Sequence, residues 1–156
     1  MRIAIFSDSH GRLHNCFRAI DAAGPIDHII HLGDTARDAE DLMAAYPHIP
    51  VTYVCGNNDF CAGVDTEKWL QLGDVRLFIC HGHSRSVKAG LRELFHAAKG
   101  ADLVLFGHTH EAFSEAMEGI RLFNPGSISL PASRTPSFGI LVIEGNSFTV
   151  THRTPD

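Results

Sequence analysis

Five short clusters of metal-ligating residue types recur along this chain: Asp8-x-His10, Gly33-Asp34, Gly56-Asn57, His81 and His108-x-His110. Imidazole nitrogens with carboxylate and amide oxygens suit manganese, iron, zinc, nickel or cobalt better than copper(I), which prefers sulfur. Eleven histidines are many for 156 residues, but their grouping matters more than their number. Each cluster has an ordinary alternative. His10 alone reads as a loop residue, and so do His108 and His110. Asp8 and Asp34 stand where helix N-caps would. Asn57 could serve a turn. Any one of these alternatives suffices for its own cluster, but together they require many coincidences in one order.

The clusters follow apolar runs. Residues 2–7 read as a short buried strand. A helix is predicted over 11–23 from the spacing of Leu13, Phe17, Ala19 and Ile20, closed by Gly24-Pro25. Further strands are predicted over 27–32 and 51–55, with a helix over 36–46 between them, stopped by Pro47. Strand and helix alternate, so this part implies βαβ units and a parallel sheet. Ligands of such sheets bind beyond the carboxyl ends of the strands, where Asp8, Asp34 and Asn57 lie.

The remainder predicts hairpins over 67–72 and 75–80, 112–117 and 120–124, and 138–144 and 147–152, each around a glycine-containing turn. A helix is expected over 86–99, stopped by Gly100, and a buried strand over 102–106. The expected fold is α/β, with two mixed sheets packed face to face and helices outside, in a single domain spanning 1–156. Strand ends hold side chains on a well-fixed backbone. The D-x-H and H-x-H spacings put two side chains on one side if the chain stays extended.

Hydrophobic residues at 44% and charged residues at 20% place the chain among ordinary soluble domains. A net charge of -5 argues against an extensive nucleic-acid or anionic-membrane surface. The N-terminal apolar run is too short for a signal peptide, and no stretch is long enough to span a bilayer. Cys16, Cys55, Cys61 and Cys80 form no C-x-x-C pair, so free thiols in a cytoplasmic setting are expected.

The five clusters, in this order, resemble the calcineurin-like metallophosphoesterase superfamily, and more narrowly its small YfcE-type phosphodiesterases. The resemblance runs from Ile3 to about Glu144. It implies a four-layer αββα fold and two divalent ions, manganese first among them, with nickel, zinc, iron or cobalt as others. Asp8, His10, Asp34 and His110 would hold one ion. Asp34, Asn57, His81 and His108 would hold the other, with Asp34 shared. The implied partner is a small phosphoester substrate, and the implied assembly a homodimer or homotetramer.

Two divalent ions against two carboxylates leave a local charge of about +2 in a negative protein. Such a site draws a phosphate ester, and a hydroxide bridging the ions is the expected nucleophile at phosphorus. One departure stands out. Many members have histidine where this chain has Asn58. Asparagine donates a hydrogen bond but is no general acid near neutral pH. Asn58 therefore takes that histidine's place in the candidate catalytic set beside Asp34, with His83 or a metal-bound water as the substitute acid. This favours diester over monoester hydrolysis, with a phosphomonoesterase as the enzymatic alternative. A non-catalytic scaffold of the same fold is disfavoured by the complete ligand set. Asn124-Pro125-Gly126-Ser127 is expected to be a structural turn, with substrate contact by Asn124 or Ser127 as the other reading, and Arg134 is a doubtful phosphate contact. His28, His48, His96 and His152 are read as surface or helix-face residues, His14 as facing solvent or else the site, and His31 as a core residue or a support for the ligands.

Overall fold

Strand β1 (Arg2–Phe6) shows how the layers arise, because its side chains alternate between two apolar faces. Ile3 and Ile5 enter a cluster shared between two sheets, with Val75, Leu77, Ile79, Leu103, Leu105 and Phe123. Ala4 and Phe6 face the other way, against Cys16, Ala19 and Ile20 of α1 (His14–Ala23) and Leu42 of α2 (Ala36–Ala45). The computed structural model describes residues 1–60 and 63–156.

In the first sheet β1 lies between β9 (Phe138–Glu144) and β2 (His28–His31), with β10 (Ser147–Arg153) and β3 (Val51–Tyr53) at the edges. β1, β2 and β3 are parallel, while β9 runs antiparallel to β1 and β10. The second sheet has the order β4 (Glu67–Leu72), β5 (Val75–Cys80), β6 (Leu103–Leu105), β8 (Ile120–Pro125), β7 (Ala112–Met117). Its three central strands are parallel. Its outer face packs Phe78, Cys80, Val104 and Phe106 against Leu94, Phe95 and Ala98 in and beside α3 (Arg92–Ala97). The expected sandwich of two mixed sheets flanked by helices is therefore present.

Two helices differ from expectation. The first starts at His14 rather than residue 11, because His10 and Gly11 take positive φ of 49° and 74°. The stretch expected as a helix over 86–99 breaks into a 3-10 turn (His83–Arg85), further turns and the short α3. Ser86 at φ 51° and Gly90 at φ 151° cannot continue a right-handed helix.

Cys16 and Cys80 are buried free thiols, and burial pushes both well up from the ordinary range. Cys55 is disulfide-bonded, which corrects the expectation of a free thiol there. Pairing depends on how closely two backbones approach in space, which sequence spacing does not show. Cys61 lies outside the described residues. Among the described residues no helix is long and apolar enough to cross a membrane.

Candidate metal centre

The five clusters converge at the carboxyl ends of β1, β2, β3, β5 and β6. The loops there are laced together by backbone bonds. Asp8 N–H donates to Gly33 O at 3.2 Å, and Gly107 N–H to His81 O at 2.9 Å. Glycine is needed where two of these loops cross. A Cβ on Gly33 would lie 2.7 Å from Gly56 N, and one on Gly56 would lie 2.5 Å from Asp34 N.

Asp8, His10, Asp34, His108 and His110 all have positive φ, between 49° and 71°. This corrects the reading of D-x-H and H-x-H as extended pairs. The side chains share one side because each residue turns left-handed, a conformation that Asp and His tolerate better than branched residues do. Five such residues at one place are backbone strain held by surrounding structure, as functional sites often carry.

Ligand atoms of Asp8, His10, Asp34 and His110 lie within 4.8 Å of one another. His10 Nε2 is 3.3 Å from His110 Nε2 and 3.5 Å from Asp34 Oδ2. On the other side, His81 Nε2 is 3.2 Å from Asn57 Oδ1 and 3.7 Å from Asp34 Oδ1. The His108 ring meets the His81 ring edge-on at 5.0 Å. Asp34 thus turns one carboxylate oxygen toward each histidine group.

Tautomers follow from the backbone. His81 Nδ1–H donates to Leu32 O, and His110 Nδ1–H to Leu130 O, both at 2.8 Å. In the neutral rings Nε2 is then a bare lone pair. His110 Nε2 lies 3.2 Å and His81 Nε2 3.9 Å from Asp8 Oδ1. That oxygen is buried and, among the described residues, has no hydrogen-bond partner. Asp8 Oδ2, in contrast, accepts from Ser7 Oγ at 2.5 Å and from His108 N at 3.1 Å. Lone pairs converging on a buried, unpartnered carboxylate oxygen are what a cation satisfies, so the donor set fits a divalent metal.

Protonation agrees with that environment. Burial pushes Asp8 up, but His110, His81 and Ser7 together hold it below the usual carboxylate range. Burial, with His81 and Lys88, lowers His108 to about 4, so it stays neutral. His110 is raised by its contact with Asp8, and a proton on it occupies the place a cation would take.

A model of the calcineurin-like phosphoesterase superfamily domain matches residues 1–146. The chain belongs to that superfamily. It is 36% identical to a protein named probable metallophosphoesterase YsnB from Bacillus subtilis, over 96% of this chain and 89% of that protein. It is 30% identical to phosphodiesterase MJ0936 from Methanocaldococcus jannaschii, over 95% of this chain and 96% of that protein. A solved structure of a predicted phosphoesterase from Streptococcus pneumoniae superposes with a TM-score of 0.82, at 28% identity, covering 99% of this chain and 89% of that one.

At the position where many superfamily members carry histidine, Asn58 acts on Asp34. Its backbone N–H donates to Asp34 Oδ1 at 3.1 Å and its side-chain amide to Asp34 Oδ2 at 2.9 Å. Asp59 accepts from Gly56 N at 2.8 Å, Asp34 N at 3.1 Å and Ala36 N at 2.7 Å. It therefore caps α2 from another loop. His83 sits 5.5 Å from the His81 ring and 6.2 Å from His108. Its Nδ1 is buried without a partner among the described residues, and burial lowers its pKa.

The segment from Asn124 to Ser127, at the end of β8, is held by its own hydrogen bonds. Asn124 Nδ2 donates to Gly107 O and Thr109 Oγ1, both at 3.0 Å, and its Oδ1 accepts from Gly126 N at 2.9 Å. Ser127 Oγ donates to Asp8 O at 2.8 Å. Arg134 is exposed, and so is His14. His28 and His152 are half-buried rather than surface residues. His28 bonds Thr52 at 2.8 Å, and His152 stacks on Phe123 with ring centres 4.3 Å apart.

Ser9 and Asp38 were missed in the sequence, and His31 gains a defined role. Gly33 N–H donates to His31 Nδ1 at 3.1 Å, so the proton sits on Nε2. His31 Nε2–H donates to Ser9 Oγ at 2.9 Å, and Ser9 Oγ–H to Asp38 Oδ2 at 2.5 Å. Asp38 also accepts from Gly11 N at 2.8 Å. This buried chain ties the loop carrying Asp8 and His10 to the loop carrying Asp34. The signal for Asp38 was a charge on the helix face that Ala39 and Leu42 bury.

Burial pushes His31 down to about 4. Its neutral form is favoured by folding, so this stability is full above the unfolded value near 6.5 and is lost as pH falls toward 4. At 1.36 kcal/mol per unit this is about 3 kcal/mol. Denaturant unfolding of the metal-free protein at pH 7 and pH 4 should show the wild type losing about that much more than His31→Gln. Equal losses would remove His31 from the acid response.

Proposed function

We propose that this chain is a phosphodiesterase working with two divalent metal ions. The observation that carries this reading is the buried Asp8 Oδ1, without a hydrogen-bond partner among the described residues and faced by the Nε2 atoms of His81 and His110. Asp8, His10, Asp34 and His110 would hold one ion, and Asp34, Asn57, His81 and His108 the other. Bound there, the ions supply a water of lowered pKa as nucleophile and positive charge for the phosphate oxygens.

The chain's own residues do the rest. Asn58 holds both oxygens of Asp34 and so orients the shared ligand. The leaving group then lacks an imidazole at that position, which favours esters whose leaving oxygen needs little protonation. His83, beside His81 and His108, is the nearest candidate to carry a proton to a poorer leaving group. The substrate is a small phosphoester, since a chain of net charge -5 makes a poor surface for a long polyanion. Manganese, a cytoplasmic setting and a small homo-oligomer are proposed from the YfcE-type resemblance alone. The disulfide at Cys55 removes the thiol-based argument for that setting.

The test is hydrolysis of bis(p-nitrophenyl) phosphate and p-nitrophenyl phosphate after metal removal and separate addition of manganese, nickel, zinc and iron(II). Metal-dependent cleavage with the diester preferred is expected. Preference for the monoester would make the protein a phosphatase. His83→Ala should slow an alkyl diester by roughly 10²-fold or more, as loss of a general acid does, and slow the nitrophenyl ester far less. Equal rates on the alkyl ester would exclude His83.

A further inference from the structure

A cleft of about 380 Å³ opens beside the centre, lined among others by Arg37, Glu40, Tyr53, Asn58, Asp59 and Phe60. Asn58 belongs to both places, lining this cleft and holding Asp34 by two hydrogen bonds. A substituent on a phosphate held at the centre therefore has a direct way in.

The lining has a definite chemistry. Phe60 is fully exposed, so its ring is open to a ligand at the cleft. Tyr53 is half-buried on the lining, with the Lys68 ammonium 5.6 Å from its ring centre. Arg37 is exposed and, among the described residues, forms no hydrogen bond or ion pair, so its donors are open. Glu40 receives only a long contact from Tyr53 Oη, at 3.5 Å, and remains an open acceptor. Asp59 is largely engaged, its carboxylate accepting three backbone N–H groups. Two aromatic rings with one donor group and one acceptor beside them suit a planar ring that carries both acceptors and donors at its edge.

We propose that this cleft binds the base of a nucleoside ester, so that the substrate class is nucleotide-derived diesters. The inference rests on the phosphodiesterase reading for its catalysis, but the binding stands on the cleft alone. Phe60 and Tyr53 supply stacking surface, and Arg37 and Glu40 read the edge of the base. Stacking of a base on an aromatic side chain is worth roughly tenfold or more in affinity.

The experiment uses the manganese-loaded full chain hydrolysing methyl p-nitrophenyl phosphate, with AMP, ribose 5-phosphate and phenyl phosphate as inhibitors. Ribose 5-phosphate carries an anomeric hydroxyl where AMP carries its base, and shares its phosphate and sugar. AMP is expected to bind about tenfold more tightly, and Phe60→Ala should bring the two constants within about twofold of each other. Arg37→Ala should weaken AMP relative to phenyl phosphate. Equal constants for AMP and ribose 5-phosphate in the wild type, or an unchanged ratio in Phe60→Ala, overturn the proposal. Phenyl phosphate binding as tightly as AMP overturns the nucleoside assignment and leaves a site for simple aryl groups. If no ester is hydrolysed with any metal, calorimetric titration with the same three ligands decides. A preference for AMP that Phe60→Ala removes then upholds the cleft, and only the hydrolytic reading falls.

Discussion

Asp34→Asn is expected to abolish diester hydrolysis while the protein stays folded. Asp34 faces His10 with Oδ2, at 3.5 Å, and His81 with Oδ1, at 3.7 Å. With one oxygen turned to each histidine group, it is placed as a ligand shared by the two proposed ions would be. The substitution also conflicts with Asn58. Both carboxylate oxygens accept, one from Asn58 N–H and one from its side-chain amide. Whichever way the new amide turns, its NH₂ meets a donor, and the loop shifts. Losing a residue that merely supports a ligand costs roughly 10–100-fold, so losing a shared ligand should exceed 100-fold. Steady-state rates with saturating manganese, alongside far-ultraviolet circular dichroism, make the check. A variant within tenfold of wild type would mean that Asp34 is not shared.

Gly56→Ala should do comparable damage by a different route. Gly56 shows no positive φ, so the substitution carries no conformational penalty of that kind. The obstacle is backbone. The added Cβ would lie 2.5 Å from Asp34 N, 2.8 Å from its Cα and 2.9 Å from its Oδ1. A neighbouring side chain could swing aside, but this segment is held by Asp59 and Asn58. Overpacking costs about 1–3 kcal/mol, here at the upper end, or a fall of about 6–10 °C in melting temperature. Asp34 must move as well, so activity should drop more than tenfold. Gly145→Ala is the control, with open space around its Cβ and a positive φ of 62° in a distant hairpin. It should cost stability only. If Gly56→Ala melts and works like wild type, the crossing of the two loops does not position Asp34.

How much of this was legible in the sequence differs between levels. The strands were legible because alternation and glycine turns are local. Val75 to Cys80 sends Leu77 and Ile79 to the inter-sheet core and Phe78 and Cys80 to α3, as period two requires. The candidate ligand positions were legible as residue types at strand ends. Their conformation was not, because the left-handed turns at Asp8, His10, Asp34, His108 and His110 are imposed by the loops packed around them. The helix expected from residue 86 failed for a related reason, since a left-handed Ser86 is set by context rather than by composition. Ser9, His31 and Asp38 lie far apart in sequence, and only folding joins them into one hydrogen-bonded chain. Asn58 was read for the group it lacks. Its contacts with Asp34 show the work it does.

The most direct test of the central claim is a count of metal ions. The metal-free protein would be loaded with manganese, freed of excess ion and analysed for metal and protein, with electron paramagnetic resonance on the same sample. Two ions per chain with a spin-coupled signal, both lost in Asp34→Asn, is the predicted result. A single uncoupled ion, or none, would contradict a shared two-ion centre built on Asp34.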